Sequence, residues 1–358
     1  MILFRYLAKE VGTTLIALTS ILILIFMSNQ VMIYLNRAAS GIIPGMLVLK
    51  LMMLELPNLL SLLLPLGFYF SLLLAYGRLY ADSEMVVLQA CGYSSSTLLK
   101  HTVVIAIIVA IFTAGMISLS PTIAYQRAKL LQTTGVQTLI KTIIPGRFRS
   151  IMNDRYVFYV ESMNSKHTKA NHIFVARQVK HSGKKSWDVL TAKSGMAVHD
   201  KNSGEEYLTF EDGKHYQGEP GKADYQIATF SRYDVRLPHQ KTMFKPDIRT
   251  VPFQQLLPFN NPDHVKAAEL QWRISIPLMV LTLTIVGVPL SRVNPRAGKY
   301  AKLLPGVILA VLYANFMFIT RDWIAAGTVP PWLGMWWLHG LMVLIGLGLI
   351  WRQRGSRS

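Results

Sequence analysis

The sequence predicts an α-helical integral membrane protein of six transmembrane helices, with an all-β domain inserted between the third and the fourth. Three observations lead there. The first is composition: AVILMFWYC residues make up 51% of the 358 positions and charged residues only 16%, whereas soluble domains carry about 25% charge. The second is where the charge lies. Residues 123–267 hold 22 of the 37 Lys and Arg and 13 of the 19 Asp and Glu, so the other 213 residues share 15 basic and 6 acidic side chains. The third is a set of six apolar runs close to the ~20 residues a helix needs to cross a bilayer. Together these exclude a disordered chain and an ordinary water-soluble enzyme. The single cysteine, Cys91, excludes an intramolecular disulfide and a Cys-rich metal site.

The apolar runs are Gly12–Leu35, Leu54–Gly77, Leu98–Ser120, Ile274–Leu290, Leu303–Thr320 and Leu333–Trp351. The fourth and fifth are short and need their flanks to complete a span. A cleaved signal peptide is the rival for the first, with Arg5 and Lys9 as its basic start. The apolar run is too long for that, and no A-x-A site follows. Lys and Arg in short flanks set orientation. With the N-terminus inside, Arg5, Lys9, Arg78, Lys100, Arg292, Arg296, Lys299, Lys302, Arg352, Arg354 and Arg357 are cytoplasmic, against Arg37, Lys50 and Arg321 outside. Both termini are then cytoplasmic. The chain divides into residues 1–122 (helices one to three), 123–267 (exterior domain) and 268–358 (helices four to six). A net charge of +18 split between span flanks and the insert fits anionic lipid better than nucleic acid.

The insert reads as β. Alternating or β-branched runs recur at Tyr156–Val160, Ile173–Val179, Val189–Ala192, Met196–His199, Tyr207–Phe210 and Tyr225–Tyr233. Turn clusters separate them at residues 181–184, 200–204, 211–213 and 219–221. Short strands at such spacing suggest a sandwich or jelly roll. No nucleophile elbow, paired-carboxylate signature or H-x-x-x-H stands in this stretch. His167, His172, His181, His199 and His215 read as solvated side chains at turns and strand ends, so neither a catalytic nor a metal site is expected.

Between spans two and three lies a short loop, Gly77 to Gly92, that carries its own helix. Asp82 or Ser83 can cap it, Glu84 suits its first turn and Gly92 can close it. Met85, Val87 and Leu88 are its apolar face, with Glu84 and Gln89 free. The residues allow two readings: an interfacial helix, or a coupling helix received by a cytoplasmic motor. Such a motor would be another chain, because no G-x-x-x-x-G-K-[ST] phosphate loop is present.

Polar groups at the exterior ends of spans are functional candidates. They are Asn29, Gln30 and Arg37, then Lys50, Glu55 and Asn58, then Glu269 and Arg273, then Asn315, Arg321 and Asp322. Glu269 and Arg273 have the spacing of an i,i+4 pair. Arg321 could pair with Asp322 or reach the interface. Cations at one membrane depth would also suit an amphiphile with anionic head groups. Pro57, Pro65 and Pro289 are compatible with helices in a bundle, and Trp323, Trp332, Trp336 and Trp337 form an interfacial belt.

Four stretches resemble one known family, the LptF/LptG permeases of lipopolysaccharide export. They are Arg5-Tyr6-Leu7 with Glu10; Ser83 to Gly92; Ala268-Glu269-Leu270-Gln271-Trp272-Arg273; and Pro289 to Gly298. The last two are most similar to the LptF branch. The resemblance implies a subunit paired with an LptG-like permease around a cavity open to the outer leaflet of the inner membrane. It implies an LptB-like ATPase dimer below, and LptC-like and LptA-like jelly-roll proteins receiving lipopolysaccharide beyond. ATP and Mg would be bound by the ATPase, with no cofactor in this chain. Glu84 would be the coupling glutamate, with Asp82, Met85 and Leu88 beside it. Gates would form from spans one and five, which hold Gln30, Arg37 and Arg321, and Arg273 would join them in contacting substrate. Pulling an acyl chain from a bilayer costs about 0.8 kcal/mol per CH₂, hence an external energy source. The alternative is a membrane-anchored scaffold that passes ATPase motion to the β domain without moving substrate; copurified lipid separates the two.

Overall fold

The computed structural model describes residues 2–39, 43, 45–132, 145–151, 156–164, 169–181, 184–199, 206–218, 226–236, 247–258, 262–293, 300 and 302–355. The helices are α1 (Ile2–Ala39), α2 (Gly45–Ala81), α3 (Glu84–Ala90), α4 (Ser95–Gln132), α5 (Phe253–Leu256), α6 (His264–Leu290), α7 (Leu303–Ala325) and α8 (Trp336–Gly355). The strands are β1 (Arg149–Ile151), β2 (Tyr156–Met163), β3 (Lys169–His181), β4 (Lys184–His199), β5 (Glu206–Gly218) and β6 (Gln226–Arg236). The chain forms two compact units. One contains Met1–Ile33, Leu49–Ala128 and Pro246–Ser358; the other contains Tyr34–Val48 and Lys129–Lys245.

In the first unit α1, α2, α4, α6 and α7 are each long and apolar enough to cross a membrane. The run expected as span six is the 20-residue α8, which starts at Trp336 because Pro330, Pro331 and Gly334 (φ +39°) turn the chain first. Helix α4 runs on past the expected end at Ser120. Pro121 sits inside it: proline keeps a helical φ, although it gives up its N–H bond and crowds the carbonyl four residues before it. Helices α6 and α7, read as short, reach 27 and 23 residues. Arg296, Lys299, Arg357 and the Asn294–Gly298 part of the family motif lie outside the described residues.

Helices α2 and α6 form the centre, with 67% of each span buried, against 28% for α4 and α7 and 11% for α1. One apolar cluster joins Leu7 and Val11 of α1, Phe68, Leu72 and Leu79 of α2, Met85 of α3, Leu98 of α4 and Val280 of α6. A second joins Tyr69 and Leu73 to Leu283, Tyr313, Met317 and Leu338. Close approach of α7 to α2 depends on Gly306, where a Cβ would stand 2.5 Å from Leu73 Cδ1. The Tyr313 hydroxyl meets Thr282 Oγ1 at 2.9 Å and His339 Nδ1 at 2.5 Å, pinning α7 to α6 and α8.

The second unit holds one six-stranded antiparallel sheet in the order β1-β2-β3-β4-β5-β6. A sandwich or jelly roll expects two facing sheets with a crossover; the described strands instead make a meander. Each of the four ladders from β2 to β6 skips one rung, and the skipped residues Glu161, His172, Lys193, Asp212 and Ser231 fall in one row across five strands. His172 (φ 49°) and Asp212 (φ 51°) are left-handed in that row. Side chains alternate faces along a regular strand. Yet Ala170 and Ile173, three apart, both enter the core, as do Ala192 and Gly195. The row is a crease that shifts the phase of each strand by one residue, so one face of the sheet stays apolar on both sides of the bend.

This corrects the sequence reading of residues 211–213 as a turn. They lie inside β5, as the stretch between the two runs read at 189–192 and 196–199 lies inside β4. The expected turns at 200–204 and 219–221, and residues 182–183, lie outside the described residues. So do His167 and the side chains of His181 and His199. His172 meets Glu161 at 3.0 Å. His215 pairs with Asp188 and stacks on Tyr233, so it is not merely solvated.

The Ser194 hydroxyl (2.6 Å) and the Lys169 ammonium (3.1 Å) both donate to Glu211 Oε2 and hold its carboxyl below the usual range. A depressed folded value means stability that is full above the unfolded value of about 4.5 and is lost as pH falls through the folded one. The melting temperature of the β unit is expected to drop as pH falls below about 4.5, and Ser194→Ala to flatten the drop. Fluorimetric melts from pH 3 to 6 check this; parallel curves would remove Glu211 from the account.

Candidate functional site

At one end of the helical unit α6 begins with a cap: the Asp263 carboxylate accepts from the N–H groups of Val265 and Lys266. The helix then presents Glu269, Trp272 and Arg273 at i, i+3 and i+4, on one face. Arg273 Nε donates to Glu269 Oε1 at 2.9 Å. Its remaining nitrogens donate to the carbonyls of Val251 (2.8 Å), Arg249 (3.1 Å) and Ile248 (3.4 Å). From α7, Arg321 Nη2 donates to Glu269 Oε2 at 2.6 Å, and its guanidinium lies 5.0 Å from the Trp272 ring. Glu269 is 4% exposed, while the Arg321 side chain retains 19%.

These groups border a cavity of about 180 Å³ lined also by Asn58, Ser61, Leu62, Ile117, Ser120, Arg249, Ile276 and Phe318. One carboxylate faces three guanidinium groups there, so the lining is cationic. On α2, Glu55 pairs with Arg127 and accepts from Asn58 at 3.2 Å. The volume is below the roughly 300–1,000 Å³ of a drug-sized pocket. It suits an anionic head group such as a phosphate, whose planar bidentate partner is arginine, rather than a whole multi-chain lipid.

The Glu269–Arg273 pair stands as its spacing predicted. Arg273, expected to touch substrate, spends its donors on its own chain. Arg321 pairs neither with Asp322 nor with the interface alone, but with Glu269 across 52 residues. Gln30 is half-buried on α1 and is not part of the cavity lining. Arg37 is exposed in the last turn of α1, within the other unit. Arg249 and Arg127 were missed. Arg249 sits in a 3-10 turn without periodicity, and Arg127 in the α4 extension beyond Pro121.

About twenty residues along α2, or ~30 Å at 1.5 Å per residue, lies the second candidate. Helix α3 packs Met85 at 0% exposure into the first apolar cluster, and Leu88 lies against it. These two therefore face inward, against the expectation that they meet lipid or a partner. Val86 (49% exposed), Val87 (61%), Asp82 and Glu84 face out. Ser83 takes the cap position in a left-handed conformation, φ 62°, without a side-chain bond, so neither expected side-chain cap forms. At the other end Tyr93 N donates to Leu88 O at 3.0 Å and Gly92 N to Gln89 O at 3.1 Å. With Gly92 at φ +91° this is a Schellman stop. Glu84 and Gln89 are engaged, accepting from Tyr6 OH at 2.6 Å and donating to Tyr80 OH at 3.1 Å.

An apolar multi-helix bundle with a cationic cavity at one end, an exposed short helix at the other and a β insert describes a multi-pass membrane protein. Residues 5–352 match the lipopolysaccharide export system permease LptF/LptG family, and the chain belongs to it. Its relatives include the lipopolysaccharide export system permease protein LptF of Escherichia coli (strain K12), of Escherichia coli O157:H7 and of Shigella flexneri. Each is 29% identical over 357 residues, covering 98% of this chain and 94% of the relative.

Proposed function

We propose that this chain is an LptF-type permease subunit that draws lipopolysaccharide from the outer leaflet of the inner membrane toward a periplasmic bridge. The observation that carries the reading is one bundle with Arg321 at a cationic cavity and α3 about 30 Å away, a separation near the thickness of a bilayer core. In this reading α8 is the sixth span and both termini are cytoplasmic. The α3 end faces an LptB-like ATPase dimer that binds ATP and Mg; the chain itself is not an enzyme. An LptG-like permease completes the cavity. The creased meander sheet is the periplasmic layer that meets LptC-like and LptA-like proteins.

Only part of one head group fits the cavity within this chain, so acyl chains lie outside it, against the bare faces of α1 and α7. Arg321 keeps part of its surface free and Arg249 is exposed, so both can meet the head group. The test is ATP-driven release of lipopolysaccharide from proteoliposomes holding the four-subunit complex. Arg321→Gln, which removes the charge but keeps an N–H donor for Glu269, is expected to cut release tenfold or more with assembly intact, and Arg321→Lys to restore part of it. Arg352→Glu, at the opposite end, is expected to leave it near normal. A photo-crosslinker at position 321 that captures no lipopolysaccharide, with normal release from Arg321→Gln, would overturn the assignment. Hydrolysis without release in the wild-type complex would favour the scaffold reading.

A further inference from the structure

Two polar contacts tie the start of α1 to the α3 end of the bundle. The Tyr6 hydroxyl donates to Glu84 Oε2 at 2.6 Å, and Glu10 forms an ion pair with Arg78 of the last turn of α2. Between them Leu7 and Val11 are fully buried with Leu79 and Met85. Residues 6, 7, 10 and 11 are thus one helix face, clamped over just under two turns. Further along, Thr19 still meets α2, where a Cβ on Gly67 would come within 2.7 Å of its hydroxyl. From there to Ile33 the helix is bare, with Ile21, Leu24, Ile25, Phe26 and Met32 all 44% exposed or more, before Tyr34 is buried again.

A helix clamped at its foot and bare from residue 20 to residue 33 carries a tilt of the foot along that stretch as a lever does. From Glu10 to Ile33 it rises about 35 Å, so a tilt of about 10° at the foot moves the other end by about 6 Å. Helix α7 is built differently, being pinned midway by Thr282 and His339 through Tyr313.

We infer that Tyr6 and Glu10 are positioning residues of energy coupling: through Tyr6–Glu84 and Glu10–Arg78, displacement of α3 tilts α1 and moves its bare distal half. This rests on the reading of α3 as the helix that receives the ATPase. Glu84 has a second carboxylate oxygen with no partner among the described residues, so it can hold Tyr6 and accept from a basic group of the ATPase at once.

The experiment uses the reconstituted complex with Cys91→Ser and spin labels at position 26 on α1 and position 278 on α6. In the parent, the label distance is expected to change by several ångströms between ATP-bound and nucleotide-free states. Tyr6→Phe is expected to keep melting temperature and ATP hydrolysis within twofold. It should reduce lipopolysaccharide released per ATP at least fivefold and abolish most of the distance change. Glu10→Arg is expected to uncouple similarly, and Glu10→Arg with Arg78→Glu to recover coupling. Full release per ATP and an unaltered distance change in Tyr6→Phe would overturn the lever. If instead Glu84→Ala leaves ATPase binding and stimulated hydrolysis unchanged, the reading of α3 itself fails, and the lever with it.

Discussion

Arg273→Ala is expected to be the most damaging single substitution in the helical unit, costing on the order of 3–5 kcal/mol. The change removes the partner of the buried Glu269 carboxylate and the donors serving the carbonyls of Ile248, Arg249 and Val251. Arg321 still holds one oxygen of Glu269, but a half-paired carboxylate in a closed site carries most of its desolvation penalty. The segment leading into α5 also loses its attachment to α6. Arg273→Lys is expected to recover less than half of the loss, because three donors on one ammonium cannot reach acceptors spread around a planar fork. Thermal unfolding of the detergent-solubilised chain, followed by loss of the monodisperse peak, reads the effect. Two melting curves within a degree of wild type would show that Arg273 is not the staple described.

The second large effect is expected at Gly213. Its position beside the crease leaves no room: a Cβ would lie 2.3 Å from the Thr191 carbonyl oxygen and 2.4 Å from Phe230 Cζ. Phe230 can swing away, but Thr191 O belongs to the paired backbone of β4. Gly213→Ala therefore forces β5 off its neighbour and costs the 1–3 kcal/mol typical of overpacking, about the upper end here because backbone must move. The expected outcome is a β unit cleaved at low protease while the helical unit stays intact. Gly348→Ala, with open space at its Cβ, is the matched control. Equal protease resistance in the two variants would refute the steric account.

The helices were legible because a bilayer imposes one requirement, about twenty apolar residues, that leaves a continuous signal. What was lost is what that signal cannot carry. The third apolar run ends at Ser120, and local sequence does not show that the helix continues through Pro121; with the α4 extension unseen, Arg127 and its pairing with Glu55 went unseen too. The crease was lost for a related reason. Period-2 alternation is the evidence of a strand, and a one-residue phase shift at Lys193 or Asp212 cuts that signal where the hydrogen-bonded ladder continues. At the cationic cavity, Glu269 and Arg273 were legible as helix neighbours. Arg321 closes the same site from 52 residues away, and nothing in local sequence encodes that distance. On α3 the acidic start and the glycine stop were readable, but a seven-residue helix is too short for periodicity to say which of Met85 and Val87 faces inward.

The meander has a consequence for how the chain is made. Because each strand pairs with the next in sequence, the insert can fold through short loop closures alone, the regime of fast folding. The helical unit is the opposite case: the Tyr69 hydroxyl meets Gly306 O across 237 residues, with the insert between. If that insert were still a flexible coil, closing it would cost about 4 kcal/mol of chain entropy. A sheet already formed shortens the tether to its two edge strands and removes most of that cost. The expected consequence is that the β unit, completed early, acts during synthesis as an internal splint that shortens the tether between α4 and α6.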